Sequence, residues 1–336
     1  MSDVAVVHAA SPFITAYPWS AGFGTKYADP ATLPANTGNG TDFSPSGADI
    51  AVAHATTPFL SVYPWSAGFG VKYANPATLP ASTGENTRFS HAGIDLAISH
   101  GGSPFLSVYP WSAGFGTKYA DPATLPTLGG SGLSFSPSGA DIAVGDAASP
   151  YIYVYPWSAG FGTKYANPAT LPSNNSNDIA FSPSGDTIAL ANTITPFMHA
   201  YPWSAGFGAK YADPATLPAN DGFGIAFNQA GTDIAVAHAT TPFVSVYPWS
   251  AGFGAKYANP ATLPASTGNG ITFYPTGTDI AVAHTTTPFL SVYPWSAGFG
   301  AKYTNPGTLP TGNGNDIEFF TPLSGQYYYN WRRRVA

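Results

Sequence analysis

Cysteine is absent from the 336-residue chain, which excludes disulfides, thiol nucleophiles and thiolate metal sites. Charged residues make up only 8% of the sequence, against about 25% in an average soluble domain. No apolar run approaches the ~20 residues of a membrane span, and the first residues lack the basic region and apolar core of a signal peptide. These absences predict a protein without membrane insertion and without an export signal.

Apolar and turn-forming residues are abundant instead. Hydrophobic residues reach 44% and aromatic residues 15%, which is enough to bury a large core. The chain also has 37 glycines and 33 prolines, a composition typical of many short elements joined by turns. The net charge of −6 gives no general attraction to nucleic acid.

The segment Tyr-Pro-Trp-Ser-Ala-Gly-Phe-Gly occurs seven times at a constant spacing of 46 residues, as from Trp19 to Trp65. All seven lysines and a series of phenylalanines that includes Phe43 follow the same period. A fixed period of this length with aromatic and glycine marks indicates a propeller or a solenoid. A linear solenoid would need atypical capping repeats, which the sequence lacks.

One unit predicts four short strands. In the second unit these are residues 41–44, 49–54, 59–63 and 71–74, separated by turns rich in Gly, Pro, Ser and Thr. The charge of the fourth stretch and the proline after it suit an exposed edge. Seven such units predict an all-β protein, a seven-bladed β-propeller of four-stranded antiparallel blades.

The register of the repeat predicts how the ring closes. The chain begins at a second-type strand, and the last first-type strand, residues 316–320, has no second strand after it. One blade should therefore combine three N-terminal strands with one C-terminal strand. We expect a propeller over residues 1–325 and a tail over residues 326–336.

The sequence of each repeat resembles that of a known fold family. Residues 43–47 read Phe-Ser-Pro-Ser-Gly and residues 50–53 read Ile-Ala-Val-Ala, as in WD-repeat and YVTN-type propellers. Residues 63–65 read Tyr-Pro-Trp where the WD family has Trp-Asp, so that family's hydrogen-bond tetrad does not carry over. Some YVTN-type relatives are lactonases, but no position here matches their catalytic residues. The near-identical units are also similar to the highly amplified propellers of bacteria and bacteriophages.

The two faces of the predicted disc differ in how much they vary. Turns after the first and third strands are nearly constant, whereas the fourth-to-first connections change from copy to copy. Because loops on a rigid scaffold often build binding sites, we favour the variable face for binding, although drift of solvent loops explains the same variation. A ring of polar residues ends the second strands on that face: His8, His54, His100, Asp146, Asn192, His238 and His284.

This polar ring has two interpretations. Binding is one, but zinc needs its donors within ~2.3 Å of one ion, and residues on different blades cannot converge so closely. Hydrogen bonds that close the following turns are the simpler interpretation. The seven repeated tryptophans likewise could hold one sugar per blade, but packing between blades is the favoured role because each ring buries ~150–250 Å². No metal or cofactor site is predicted.

The C-terminal tail concentrates aromatic and basic residues. An anchoring role on a protein partner would use Tyr327, Tyr328, Tyr329, Trp331, Arg332, Arg333 and Arg334. A solvated terminus is the alternative.

Sequence motifs of hydrolases, metalloproteases and phosphate-binding loops are missing, and seven equal units argue against a single catalytic site. The sequence therefore favours a non-enzymatic interaction or display module of a larger assembly, such as a phage virion or host-attachment component. In that setting its partners are assembly proteins, with a surface glycan as a further candidate, and it lies on the virion surface or otherwise in the cytoplasm. The alternatives are a multivalent glycan-binding lectin and an intracellular interaction scaffold.

Overall fold

Alternating runs of β-branched and small residues, broken by Pro-Gly-Ser turns, form three antiparallel strands in each repeat. The computed structural model describes residues 2–321. Within them, seven three-stranded sheets are the blades of a seven-bladed β-propeller, as the repeat predicts. The middle strand of every blade is almost completely buried because both of its faces pack against neighbouring blades.

The strands fall into three classes. The inner strands, which lie side by side around the axis, are β3 (Gly38–Phe43), β6 (Gly84–Phe89), β9 (Leu133–Phe135), β12 (Ser176–Phe181), β15 (Gly222–Phe227), β18 (Gly268–Phe273) and β21 (Gly314–Phe320). The middle strands are β1 (Ser2–His8), β4 (Asp49–His54), β7 (Asp95–His100), β10 (Asp141–Gly145), β13 (Thr187–Asn192), β16 (Asp233–His238) and β19 (Asp279–His284). The third strands are β2 (Ile14–Trp19), β5 (Leu60–Pro64), β8 (Leu106–Pro110), β11 (Ile152–Pro156), β14 (Met198–Pro202), β17 (Val244–Pro248) and β20 (Leu290–Pro294).

The predicted fourth strand is not a regular strand. In the second unit, Trp65 and Phe69 form a single bridge, and only the N–H groups of Gly70 and Tyr73 donate to the third strand. Pro64 of the third strand has no N–H to donate to this segment, and Pro76 follows the segment closely, so no continuous ladder forms. It runs along the blade as an outer segment, and the blades therefore have three strands.

Closure of the ring follows the predicted principle with one strand fewer. The closing blade has the order β2-β1-β21, so two N-terminal strands and one C-terminal strand make it. Val4 pairs with Phe319 and Val6 with Ile317 in its antiparallel register. The predicted tail, and with it its domain boundary at residue 325, lies outside the described residues.

A shared carboxylate joins neighbouring blades. Asp3 of the closing blade accepts hydrogen bonds from Trp65 Nε1 of the next blade at 3.0 Å and from the Tyr27 hydroxyl of its own outer segment at 2.7 Å. The two aromatic rings stand edge to face, with centroids 5.3 Å apart. Six of the seven seams between blades repeat this arrangement, which we call the Asp clasp; its acceptors are Asp3, Asp49, Asp95, Asp141, Asp233 and Asp279.

Removing one clasp should destabilise the propeller. In an Asp49→Thr variant, Trp111 Nε1 and the Tyr73 hydroxyl lose their acceptor. We expect the free energy of unfolding to fall by about 2 kcal/mol, since hydrogen bonds to charged groups contribute ~1.5–3 kcal/mol each and neighbours relax in part. Urea unfolding measures the change. Asp29→Thr, at an exposed carboxylate paired with Lys26, is the control and should change stability by under ~1 kcal/mol; equal effects would contradict the clasp.

Candidate functional site

The inner strands bend where they enter the central channel. In β3 the pairing with β4 shifts between Gly38 and Gly40, which leaves Asn39 as an extra, bulged residue. Five further inner strands carry the same bulge. Bulges re-aim side chains at strand ends. Here they bring two successive positions of each strand, those of residues 39 and 40 in β3, to the channel mouth.

Side chains alternate with glycine at the second of these positions. Asn86, Asp178 and Asp316 have side chains there, while the equivalent residues of the other inner strands are Gly40, Gly132, Gly224 and Gly270. A Cβ on Gly40 would lie 2.7 Å from the Cα of Asn86, so the ring has no room for a side chain on adjacent strands. The narrow axis therefore limits which repeats can place a functional group in the channel.

The two aspartates of this layer are fixed by the backbone. Asp316 accepts hydrogen bonds from the N–H of Ile317 and, across the seam, from the N–H of Thr41 at 3.1 Å. Asp178 in the same way accepts from Ile179 and from Ile225 of the next blade. Each carboxylate thus bridges two inner strands and is held in one orientation.

Arg88 lies one layer further in and collects the remaining charges. Its Nη1 donates to the carbonyl oxygens of Thr41 and Thr87 and lies 3.6 Å from Oδ2 of Asp316. Asp42 accepts the N–H of Phe89 at 2.7 Å, and Glu318 accepts the Thr272 hydroxyl at 3.2 Å. One guanidinium therefore faces four acidic groups: Asp42, Asp178, Asp316 and Glu318.

Burial changes the acidity of this cluster. Desolvation raises the pKa of Asp42 and of Asp178 to about 7, although Arg88 and backbone N–H groups oppose the shift. Desolvation and the nearby Asp42 raise the pKa of Glu318 to about 8. The same carboxylates raise the pKa of Arg88, which stays a cation. The cluster can therefore exchange protons near neutral pH, as general acids and bases do.

The cluster opens into a polar cavity of about 210 Å³ at the variable-face end of the channel. Amides, hydroxyls and carboxylates dominate its wall, and Phe223 supplies one aromatic ring. The lining residues are Asn39, Glu85, Asn86, Ser131, Asn177, Asp178, Phe223, Asn269, Gly270, Asn315 and Asp316. Such a wall suits a small ligand with many hydroxyl groups.

Metal binding has no geometric support over residues 2–321, where no three His, Asp or Glu side chains are arranged to hold an ion. The same part of the chain contains no helix long and apolar enough to cross a membrane.

The predicted polar ring is buried in the blades. Its seven members are fully buried, and the five histidines bond through Nε2 to the Ser or Thr seven residues later, as His54 does to Ser61 at 3.0 Å. Asp146 accepts the N–H groups of Thr127, Leu128 and Ala148 instead. The side chains of six ring residues therefore form hydrogen bonds, whereas that of Asn192 has no partner among residues 2–321, and none of the seven lines the cavity.

The blade tryptophans pack between blades, which confirms that interpretation over a sugar platform. They are at most 7% exposed, and Phe and Tyr rings surround each of them. The predicted anchoring residues Tyr327, Tyr328, Tyr329, Trp331, Arg332, Arg333 and Arg334 lie outside the described residues.

Sequence reasoning missed the channel cluster, although the sequence contained a signal for it. Arg88 is the one arginine outside the tail, and Asp42 and Glu318 occupy the same repeat position as Arg88. Across the seven repeats this position is Asp, Arg, Ser, Ala, Thr or Glu, whereas the Phe that follows it is constant. Charged residues at a variable position of the inner strand are unusual in a chain with so few charges, and they could have indicated this site.

Comparison with known proteins places the fold. No family model matches the chain, and no curated protein is similar to it in sequence. A Bacteroides fragilis protein provisionally named as a 6-phosphogluconolactonase superposes with a TM-score of 0.76 at 12% identity, covering 95% of this chain and 98% of its own. The periplasmic gluconolactonase of Pseudomonas aeruginosa gives 0.69 at 14% identity, covering 96% and 99%. The fold is theirs.

These neighbours overturn the prediction of a non-enzymatic interaction or display module. That prediction was wrong because it assumed that equal repeats leave no single asymmetric site, whereas the channel holds one and the neighbours of this fold include proteins named as lactonases. The similarity extends to the propeller but not to WD-repeat membership, and it gives no support to a virion location.

Two opposite titrations should set the pH range of stability. Burial lowers the pKa of the ring histidines to about 4, so the folded state binds fewer protons than the unfolded state and stability falls below pH ~6.5. The raised pKa values of Asp42 and Glu318 mean that the folded state binds more protons, so stability also falls as pH rises through about 7 and 8. Urea midpoints should peak between these ranges. An unchanged alkaline decline in an Asp42→Asn, Glu318→Gln variant would contradict this assignment.

Proposed function

We propose that the protein hydrolyses a sugar lactone at the channel mouth. The observation that carries the proposal is the asymmetric cluster of Arg88 with buried carboxyl groups beneath a polar cavity, in a chain whose blades otherwise repeat the same Tyr-Pro-Trp-Ser-Ala-Gly-Phe-Gly segment seven times. The names of the structural neighbours and the YVTN-type resemblance of the blades support the same reaction class.

The chemistry needs a base, a cation and a way to hold the ring. Asp178 lines the cavity and, with a pKa of about 7, takes a proton from water as it attacks the lactone carbonyl carbon. The guanidinium of Arg88, one layer below the cavity wall, supplies the positive charge that stabilises the oxyanion as it forms. The ring C–O bond then breaks, and its oxygen takes the proton back from Asp178. The product is an open hydroxy-carboxylate.

Charge selects the substrate and the product. Glu85, Asp178 and Asp316 border the cavity, and Arg88 is the one cation of the cluster. Like charges brought close together in a confined site repel each other. The substrate class is therefore an uncharged, unphosphorylated polyhydroxy lactone, and the anionic product is expelled by the same field.

Hydrolysis of D-glucono-1,5-lactone tests the proposal, with acid release followed at constant pH and the spontaneous rate subtracted. Asp178→Asn and Arg88→Gln should each lower kcat/KM by about 100-fold or more, as loss of a general base or an oxyanion donor does. Asp213→Asn, at an exposed carboxylate paired with Lys210, is the matched control and should keep full activity. We expect the wild type to hydrolyse the lactone, with kcat/KM rising with pH through about 7 as Asp178 loses its proton. Equal rates in all four proteins would overturn the proposal.

Phosphorylation of the substrate should be harmful. We expect kcat/KM for the 6-phospho lactone to be at least about tenfold lower than for the neutral lactone, because about 1.4 kcal/mol of repulsion is enough for that factor. Glu85→Gln removes one negative charge from the cavity wall and should reduce the ratio of the two kcat/KM values. Asn39→Asp adds a negative charge to the same wall and should increase that ratio. Competition kinetics with the two lactones measures the ratio. A preference for the phosphorylated substrate would contradict the assignment of substrate class.

A further inference from the structure

One seam lacks the carboxylate that joins all the others. Between the blade of β13 and the blade of β15 the residue at the clasp position is Thr187, where the other six blades have aspartate. Thr187 is buried, and its hydroxyl donates to the carboxylate of the preceding Asp186 at 3.1 Å. The substitution therefore removes the acceptor from the middle of the clasp.

The two donors of that clasp are still in place. Tyr211 and Trp249 stand edge to face with ring centroids 5.1 Å apart and an angle of 89°, the same geometry as at the intact seams. Over residues 2–321, neither Trp249 Nε1 nor the Tyr211 hydroxyl has a hydrogen-bond acceptor, whereas every equivalent pair shares an aspartate. The seam thus keeps the recognition geometry for a carboxylate without containing one.

Space replaces the missing side chain. A cavity of about 130 Å³ lies at this seam, and its wall includes Ser182, Thr187, Tyr211, Trp249 and Ser250. Trp249 is 7% exposed, the highest value among the seven repeated tryptophans, so the cavity reaches its ring. The volume holds several non-hydrogen atoms and far exceeds the ~15 Å³ that one water molecule needs.

We propose that this cavity is a binding site for a small carboxylate, such as formate or acetate, which takes the place of the missing aspartate. An indole N–H can only donate, so the ligand must offer an acceptor to Trp249. In the intact clasps one carboxylate oxygen binds the indole and the other binds the tyrosine hydroxyl, at 3.0–3.1 and 2.8–2.9 Å in the three clasps of Asp49, Asp95 and Asp141. A two-oxygen anion reproduces both bonds.

Asp186 is the charged residue of the cavity wall and limits the ligand to a single negative charge. Its carboxylate is exposed and accepts the hydroxyls of Ser182 and Thr187, and these hydrogen bonds lower its pKa. Solvent screens the repulsion between an exposed charge and the ligand. The equivalent residue is Ala48 or Ala140 in other blades, so Asp186→Ala should tighten binding.

Titration of the full chain with sodium formate, followed by the indole N–H resonances, tests the site. Sodium chloride at equal ionic strength is the reference, and Trp249→Phe identifies the resonance of Trp249 by its loss. We expect one indole resonance, that of Trp249, to shift and saturate in the wild type. Thr187→Asp supplies the carboxylate within the chain and should abolish the shift while raising the urea midpoint.

A gain-of-site variant makes the test independent of that substitution. Asp49→Thr opens the same gap at another seam, so the Trp111 resonance should begin to respond to formate as well. A saturating response of Trp249 that disappears in Thr187→Asp supports the site even if Asp49→Thr fails to fold. No formate-specific shift in the wild type, or an equal shift in Thr187→Asp, would overturn it. Neither result depends on lactone hydrolysis.

Discussion

The carboxylate that six of the seven blades offer to the tryptophan of the next blade is the constraint on which this propeller depends. In the clasp of Asp3, one oxygen fixes Trp65 of the next blade and the other fixes Tyr27 of its own outer segment. Because both bonds involve an ion, they are directional as well as strong. The repeated clasp joins neighbouring blades, and the seven blades close around an axis so narrow that a Cβ on Gly40 would lie 2.7 Å from the Cα of Asn86.

Narrowness in turn changes the acidity of the carboxyl groups in the channel. Carboxyl groups forced together in a confined ring lose hydration, which is why Asp42, Asp178 and Glu318 hold protons near neutrality. Arg88 keeps the group of charges compatible with folding. The symmetric frame and the asymmetric site are thus parts of one arrangement: the constant residues build the ring, and a few variable inner positions use it.

Much of the fold could be predicted from the sequence, whereas the site was missed although its charged residues share one variable repeat position. The constant period of 46 residues predicted seven blades. The chain begins with a second-type strand and its last strand is of the first type, which predicted that the two ends share the closing blade. The prediction of a fourth, outer strand was wrong because Pro64 has no N–H to donate, and only the N–H groups of Gly70 and Tyr73 donate to the third strand. The site was missed because Asp42, Arg88 and Glu318 are 46 or more residues apart, and only the curvature of the ring makes them neighbours. Burial of His54 likewise depends on packing between blades, which the local sequence does not determine.

The closing strand β21 has a consequence for the order in which the molecule is made. It contributes both Asp316 and Glu318, and it reaches the ring only when it pairs with β1. A nascent chain still held at the ribosome before that point has Arg88 in place without its nearest carboxylate partner. A chain truncated before β21 would therefore be an open arc of blades in which Arg88 lacks both Asp316 and Glu318.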